Sequence, residues 1–476
     1  MNTEKFLELL ANGKNDTDFE EFLKFVSDKL WNQYNKHLMD EILMTENKVN
    51  GIALNLPNAS ENKPYEQTID FGDTKIAIER VDGLSAETHG LNVTVCDDKK
   101  SFKIAGTPDL NPIRNAGTEI ESTFELTVFY KYEGLCLPPK KPLLERKLQL
   151  VINQDPRYLW KNIPVDWEKM SDPKYEKEDA DCQYVTVKAL PDGTPQKDIV
   201  AASKRGRSHA QEGKPRDDDF QLYHDEQTNW YVIAVADGAG SAKFSREGSR
   251  LACNVTVEVC KKALSNCEKF EENINLWHID QKSEDAGKLV STDIYNILGK
   301  AAHKAHTEIN AEAAREKNRP KDYATTLLLA ICKKFDFGWF IASFWVGDGA
   351  MCLYDKENHT SVLLGTPDEG EYGGQTRFLT MPEIFANPTD FFSRLKCRIV
   401  PDFTALFLMS DGVSDPKFET DVNLNSTEKW NALWDDLKDN GVELTDDNEA
   451  AKEQLLNWLD FWAPGNHDDR TIAILY

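Results

Sequence analysis

No run of about 18 apolar residues occurs in this sequence, so no helix is expected to cross a membrane. The opening stretch MNTEKFLELLANGKNDTDFEEF is acidic and amphipathic, without the basic start and apolar centre of an export signal. Cysteine is scarce, odd in number and scattered: nine residues, which points to free thiols, a reducing compartment and a cytoplasmic location. Cys253, Cys260 and Cys267 recur every seven residues. On a helix they would stand about 10 Å apart on one face, too far for disulfides and suited to core packing. Positive charge is in short supply, 56 Lys+Arg against 81 Asp+Glu, for a net charge of −25. Such a chain is repelled by nucleic acid and by anionic membrane, and neither is expected as a partner. There is no internal repeat, no Walker loop and no Cys-x5-Arg, which excludes a thiol route to phosphoryl chemistry.

A length of 476 residues suggests two or three domains. Residues 1–46 read as a helical segment, with Phe22, Phe25, Leu30, Tyr34, Leu38 and Ile42 at three- to five-residue steps. From 47 to 160, short alternating stretches (TKIAIERV, LNVTVC, SFKIAG, STFELTVFYKY, RKLQLVI) are separated by Gly, Pro, Asn and Asp, the pattern of a β-sandwich. The segment from Phe102 to Pro108 resembles the strand-and-turn signature of bacterial immunoglobulin-like domains. Nothing there resembles a catalytic constellation, so recognition of a protein partner, or spacing, is the expected role. Residues 161–195 are charged and proline-containing and read as a linker. Residues 196–476 alternate apolar strands (230–236, 324–332, 339–346, 404–410, 471–476) with helices (246–266, 288–317, 427–438, 447–461).

Four of those apolar runs deliver an acidic residue at a strand end or turn. WYVIAVA leads into Asp237-Gly238, WFIASFWV into Gly347-Asp348-Gly349, and TALFLMS into Asp411-Gly412; Asp468-Asp469-Arg470 precedes the last strand. Asp217-Asp218-Asp219 precedes the strand-like FQLYHD. Asp-Gly by itself is a common turn pair. Several buried strand ends converging with carboxylates would cost several kcal/mol unless a cation neutralised them. Hard oxygen ligands suit Mg²⁺ or Mn²⁺, and glycine after aspartate lets the backbone approach such an ion closely.

In this order the motifs resemble the type 2C family of metal-dependent protein phosphatases over about 200–476. The matches are Asp217-Asp218-Asp219, VADGAGSA (235–242), Ala324-Thr325-Thr326, WVGDGAMCLY (345–354), LFLMSDGVSD (406–415) and Asp468-Asp469-Arg470-Thr471. The resemblance implies an α+β fold, two antiparallel sheets flanked by helices, with two metal ions (Mn²⁺ or Mg²⁺) in the cleft between the sheets. By the same resemblance Asp237 bridges both metals. The Gly238 carbonyl and waters held by Asp217 and Asp218 complete one, Asp411 and Asp468 hold the other, and Asp348 matches the residue that helps bind a third. The implied reaction is hydrolysis of phosphoserine or phosphothreonine on a protein substrate by a metal-activated water, with Asp237, Asp411 and Asp468 as the catalytic set.

The sequence departs from the family at several points. Gly213 stands where an arginine often holds the phosphate, leaving Lys214, Arg207, Arg205 and His209 as candidates for that role. Ala239 replaces a histidine that often follows the first Asp-Gly. Asp469 replaces an asparagine and adds negative charge beside the metal, and Gly349 replaces a serine. The glycine-rich stretch 365–380 lies where relatives carry a flap, with Arg377 read as a solvent-facing charge. His303-x-x-His306 reads as surface histidines rather than zinc ligands. Two rival readings follow. A nucleotide loop at 232–249 lacks its third glycine, since Lys243 stands there, and Asp237 would repel a pyrophosphate. A pseudophosphatase serving as a phosphoprotein-binding or regulatory module fits the missing Arg and His but not the retained aspartates.

Overall fold

A computed structural model describes residues 17–116, 120, 122–170, 175–365, 367–368 and 376–476. The chain forms two compact units, Met1–Leu159 and Trp160–Tyr476.

The first unit opens with a helix, Thr17–Asn50. Seven strands follow: β1 (Ala59–Ser60), β2 (Tyr65–Asp70), β3 (Ile76–Asp82), β4 (Leu91–Val95), β5 (Ser101–Gly106), β6 (Thr123–Tyr132) and β7 (Leu144–Asn153). They make a four-stranded sheet β1-β7-β6-β3 and a three-stranded sheet β2-β5-β4. Leu126, Val128 and Tyr130 alternate inward on β6, and Phe102 and Ile104 do so on β5. This period of two is what makes the region legible as strands. Ile42 and Val49 tie the end of the helix into the same core. The buried Arg146 of β7 donates to the Val49 and Ile52 carbonyls, which caps the helix and removes the cost of burying the guanidinium.

The second unit carries eleven strands: β8 (Ala180–Val185), β9 (Ile199–Lys204), β10 (Asp219–His224), β11 (Tyr231–Ala236), β12 (Leu327–Phe335), β13 (Gly338–Val346), β14 (Ala350–Asp355), β15 (Thr360–Leu363), β16 (Leu395–Val400), β17 (Ala405–Met409) and β18 (Arg470–Leu475). One sheet runs β10-β11-β12-β13-β16 and the other β15-β14-β17-β18-β9-β8, every pairing antiparallel. The sheets pack face to face: Tyr231, Ile233 and Val235 of β11 meet Leu406 and Leu408 of β17 in one apolar layer. The alternate residues of β11, Val232, Ala234 and Ala236, pack outward against helices Ser245–Leu264 and Lys300–Arg315. Phe407 and Met409 of β17 pack outward against helices Thr427–Asp439 and Ala451–Trp458. Strands buried on both faces must be apolar throughout, which explains continuous runs such as WFIASFWV. The result is the α+β two-sheet architecture flanked by helices that the motif order implied.

Three local readings differ from the structure. Residues 161–195, linker-like in composition, carry β8, which pairs with β9 at the edge of the six-stranded sheet. The buried Tyr175 hydroxyl also reaches Glu312 and Tyr323. Edge strands can be polar on one face, so composition hides them. The helix expected over 288–317 is Glu284–Ile294 and Lys300–Arg315, joined by a π turn at Tyr295–Gly299. A helix at Glu268–Ile279 was not anticipated. The nine cysteines are free, and Cys253, Cys260 and Cys267 are buried.

Candidate metal centre

Each acidic residue of the cleft is held by a neighbour with a specific job. Asp237 ends β11, and its backbone is gripped from both directions by the Thr-Thr turn. Its N–H donates to Thr326 Oγ1 at 2.8 Å, and its carbonyl accepts from Thr325 Oγ1 at 2.9 Å and from the Thr326 N–H at 2.8 Å. Gly238 sits so close to the acidic segment that a Cβ there would lie 2.6 Å from the Asp217 carbonyl oxygen. Asp218 is fully buried and accepts from Ser410 Oγ and Thr471 Oγ1, both at 2.8 Å. Asp411 opens the helix Asp411–Phe418 beside Asp237. Thr376 donates to Asp348. Asp219, the third aspartate of its run, instead pairs with Lys177 at 2.9 Å.

The carboxylates form two groups. In the first, one oxygen each of Asp237, Asp348 and Asp411 lie within 4.8 Å of one another. Asp411 Oδ1 is buried with no hydrogen-bond partner among the described residues. Burial, then the charges of Asp411 and Asp218, push Asp237 far above the usual carboxyl range. Burial, then the charges of Asp348, Asp468 and Asp218, push Asp411 up to about 8. Asp218 rises to about 7 through burial and the charge of Asp469. Asp415 rises to about 6 through burial and the charges of Asp348, Asp421 and Asp468.

The second group is His209, Asp468 and Asp469. Asp469 does not add its charge to the cleft as its sequence position suggested. It is 2 % exposed and turned inward, accepting from the Gly206 N–H at 2.6 Å, the Asp217 N–H at 2.5 Å and His209 Nδ1 at 3.1 Å. Burial would raise its pKa, but the His209 hydrogen bond and charge and the two amides hold it below the ordinary value. For His209, burial works downward, but the Asp469 hydrogen bond and charge, with Asp217 and Asp468, lift it to about 9. One aspartate–histidine pair thus splints the Gly206 amide to the amide that opens the acidic segment, leaving Asp468 exposed beside it.

The other cations of the sequence reading have partners elsewhere. Arg207 donates to the Asp460 and Phe461 carbonyls and the Asp460 carboxylate, with its guanidinium over Trp462. Lys214 is exposed and paired with Glu212. Arg205 donates to the Lys214 and Ile163 carbonyls and to Asn162. Gly213, where relatives carry arginine, caps the helix Arg207–Glu212 at φ 67°, a conformation a branched or long side chain resists. His306 donates from Nδ1 to the Leu379 carbonyl and accepts at Nε2 from Asn310 Nδ2, which occupies both ring nitrogens. Half of the glycine-rich stretch 365–380 lies outside the described residues; Asp368 is described, bound to the Gly347 N–H and to both Arg394 Nη atoms. Thr326, Ser410 and Thr471 lay within the motifs quoted from the sequence, but their supporting roles and the inward role of Asp469 were not assigned there. Ser410 and Thr471 flank motif aspartates, so adjacency was their available signal.

The first group fits a divalent cation: oxygen donors only, an orphaned buried carboxylate oxygen, and like charges crowded at bonding distance. A two-sheet sandwich with aspartates gathered at its strand ends defines a metal-dependent hydrolase class. A family model described as Protein phosphatase 2C matches residues 205–460, and the chain belongs to that family of metal-dependent serine/threonine phosphatases. A comparison with curated proteins finds no match. Among solved structures, serine-threonine phosphatase 2C from Toxoplasma gondii is similar at 13% identity, covering 62% of this chain and 98% of that one, with a TM-score of 0.40. The Mycobacterium tuberculosis serine/threonine phosphatase PstP/Ppp is similar at 15% identity over 59% of this chain and 98% of that one, TM-score 0.31. A C. elegans sex determining protein is similar at 14% identity over 59% and 65%, TM-score 0.37.

Proposed function

We propose that this cleft hydrolyses phosphoserine and phosphothreonine on proteins, with Asp237, Asp411 and Asp468 as the principal metal-holding carboxylates and Mn²⁺ or Mg²⁺ as the cofactor. The observation that carries the reading is the convergence of Asp237, Asp348 and Asp411 at ligand distance with no cationic partner among the described residues. Asp217, Asp218 and the Gly238 carbonyl would complete one ion, and Asp348 would serve a further one. When bound, such ions lower the pKa of a water and stabilise in-line attack on phosphorus. The chain's own work is preorganisation. Thr325 and Thr326 fix the Asp237 backbone, Ser410 and Thr471 aim Asp218, and the His209–Asp469 pair fixes the Asp217 amide. Rigid carboxylates need no reorganisation when charge develops at the phosphoryl group. Of the four cations considered for the phosphate, His209 has the best claim, since its Nε2 lies 4.0 Å from Asp217.

We read the first unit as an immunoglobulin-like module that recognises a protein partner, supported by its two packed sheets of four and three strands. Nine free cysteines are in keeping with a reducing, cytoplasmic setting. The test is turnover of p-nitrophenyl phosphate and a phosphothreonine peptide with Mn²⁺. Turnover that disappears with chelator and in Asp237→Asn is expected; equal turnover in that variant would defeat the reading. Removal of residues 1–159 is expected to change peptide choice.

A further inference from the structure

We propose that the mouth of the sandwich between β15 and β16 is a substrate subsite that holds the acidic flank of an extended phosphoprotein segment, read by Lys396 and Arg398. The proposal rests on the phosphatase reading above. Both strands are edges, β16 of the five-stranded sheet and β15 of the six-stranded one. Between them lies a groove of about 600 Å³, lined among others by Val362, Leu364, Pro367, Lys396, Arg398, Val422 and one carboxylate, Asp421.

Register sets the direction of the two cations. Leu395, Cys397 and Ile399 pack toward the helix-covered core, whereas Val400 packs in the layer between the sheets. Lys396 and Arg398 therefore face the inter-sheet side, into the open mouth. Lys396 Nζ lies 6.0 Å over the Trp345 ring. Neither residue has a carboxylate partner among the described residues, in a chain whose acidic side chains outnumber its basic ones by 81 to 56. Inward charges on an edge strand also guard against edge-to-edge pairing. Guarding alone requires no apolar floor, yet Val362 and Leu364 supply one, and Val422 stands 79 % exposed on the wall. The free edge of β16 offers backbone groups to an extended peptide.

Two residues, Asp368 and Gly347, connect the groove wall to the metal cluster. Asp368, next to Pro367 of the wall, accepts from the Gly347 N–H at 2.9 Å and donates its own N–H to the Gly347 carbonyl at 2.9 Å. Gly347 immediately precedes Asp348. A phosphorylated residue at the cluster would thus send its flank along this wall. Residues two apart on a strand are separated by about 7 Å, so an acidic-x-acidic pattern in an extended substrate matches the Lys396-x-Arg398 pattern.

The experiment uses the full chain with Mn²⁺, p-nitrophenyl phosphate, and two phosphothreonine peptides that differ only in an Asp-x-Asp or Lys-x-Lys flank. p-Nitrophenyl phosphate is too small to fill the groove and reports the metal centre separately. In K396E/R398E, kcat/KM for the acidic peptide relative to p-nitrophenyl phosphate is expected to fall about tenfold, and the lysine peptide to gain. An unchanged peptide ratio would overturn the subsite and leave the charges as edge guards. Fluorescence anisotropy of the labelled acidic peptide, with wild type and the milder K396A/R398A, decides the point even if neither protein turns over. Weaker binding in the variant supports the groove; equal binding removes it, whatever becomes of the phosphatase reading.

Discussion

The two acidic groups of the cleft contain the same kind of residue and have opposite electrostatics. Around Asp237, Asp348 and Asp411 the carboxylates face one another, and their pKa values rise. Around Asp469 the carboxylate has a histidine and two amides, and its pKa falls. The first group stores uncompensated charge that a cation would relieve. In the second, Asp469 and His209 form a finished structural joint, while burial and the charge of Asp469 raise the neighbouring Asp468. A count of aspartates cannot separate the two roles; the partners of each oxygen do.

The comparison breaks most visibly at Asp237. Asp237→Asn is expected to lower Mn²⁺-dependent kcat/KM by at least about 100-fold, the upper end for residues that only orient a ligand. In the metal-free protein the same change removes a like charge, so its thermal midpoint should hold or rise while stabilisation by Mn²⁺ shrinks. A drop in the metal-free midpoint would mean Asp237 is structural.

Asp469→Ala should do the reverse. Leaving His209 buried without its partner is expected to cost about 3 kcal/mol, read from urea unfolding of the metal-free protein. Asp469→Asn, which keeps an acceptor for one of the two amides, should recover part of that loss. Thr326→Val is the intermediate case. It removes the acceptor of the Asp237 N–H and is expected to reduce activity about tenfold with little change in fold stability.

A pH series sharpens the contrast further. The raised carboxyls, Asp217 and Asp218 at about 7 and Asp411 at about 8, favour the folded state when protonated. Their contribution is fully present below the unfolded carboxyl value, near about 4, and is lost as pH rises through 7 to 8. His209, raised to about 9, contributes fully below its unfolded value and loses that contribution as pH rises through about 9. The metal-free midpoint should therefore fall between pH 5 and 9, and excess Mn²⁺ should flatten the fall. The smallest effect is expected at Lys214: Lys214→Ala should leave kcat/KM for p-nitrophenyl phosphate within about twofold, because an exposed pair with Glu212 contributes little.

Much of the second unit could be read directly. Both faces of β11, β13, β17 and β18 are buried, so their sequences are largely apolar runs; the first three lead into a motif aspartate and the last follows Asp468-Asp469. The edge strands β8, β15 and β16 mix polar with apolar positions and left a weaker signal. In the first unit the inward alternation on β5 and β6 was visible, whereas the buried Arg146 was not, because its partners are helix carbonyls about 95 residues away.

The sequence by itself determined which stretches form buried strands, the identity of the aspartates and the chemistry their oxygen atoms permit, since strand periodicity and side-chain type are local properties. Only the tertiary structure decided which aspartates carry unpaired charge. Asp468 and Asp469 are adjacent in the chain, yet one lies exposed in the cleft and the other closes a buried joint with His209. That division depends on an antiparallel pairing, β18 against β9, that brings residue 469 to residues 206 and 209 across some 260 positions. No spacing within either segment encodes it.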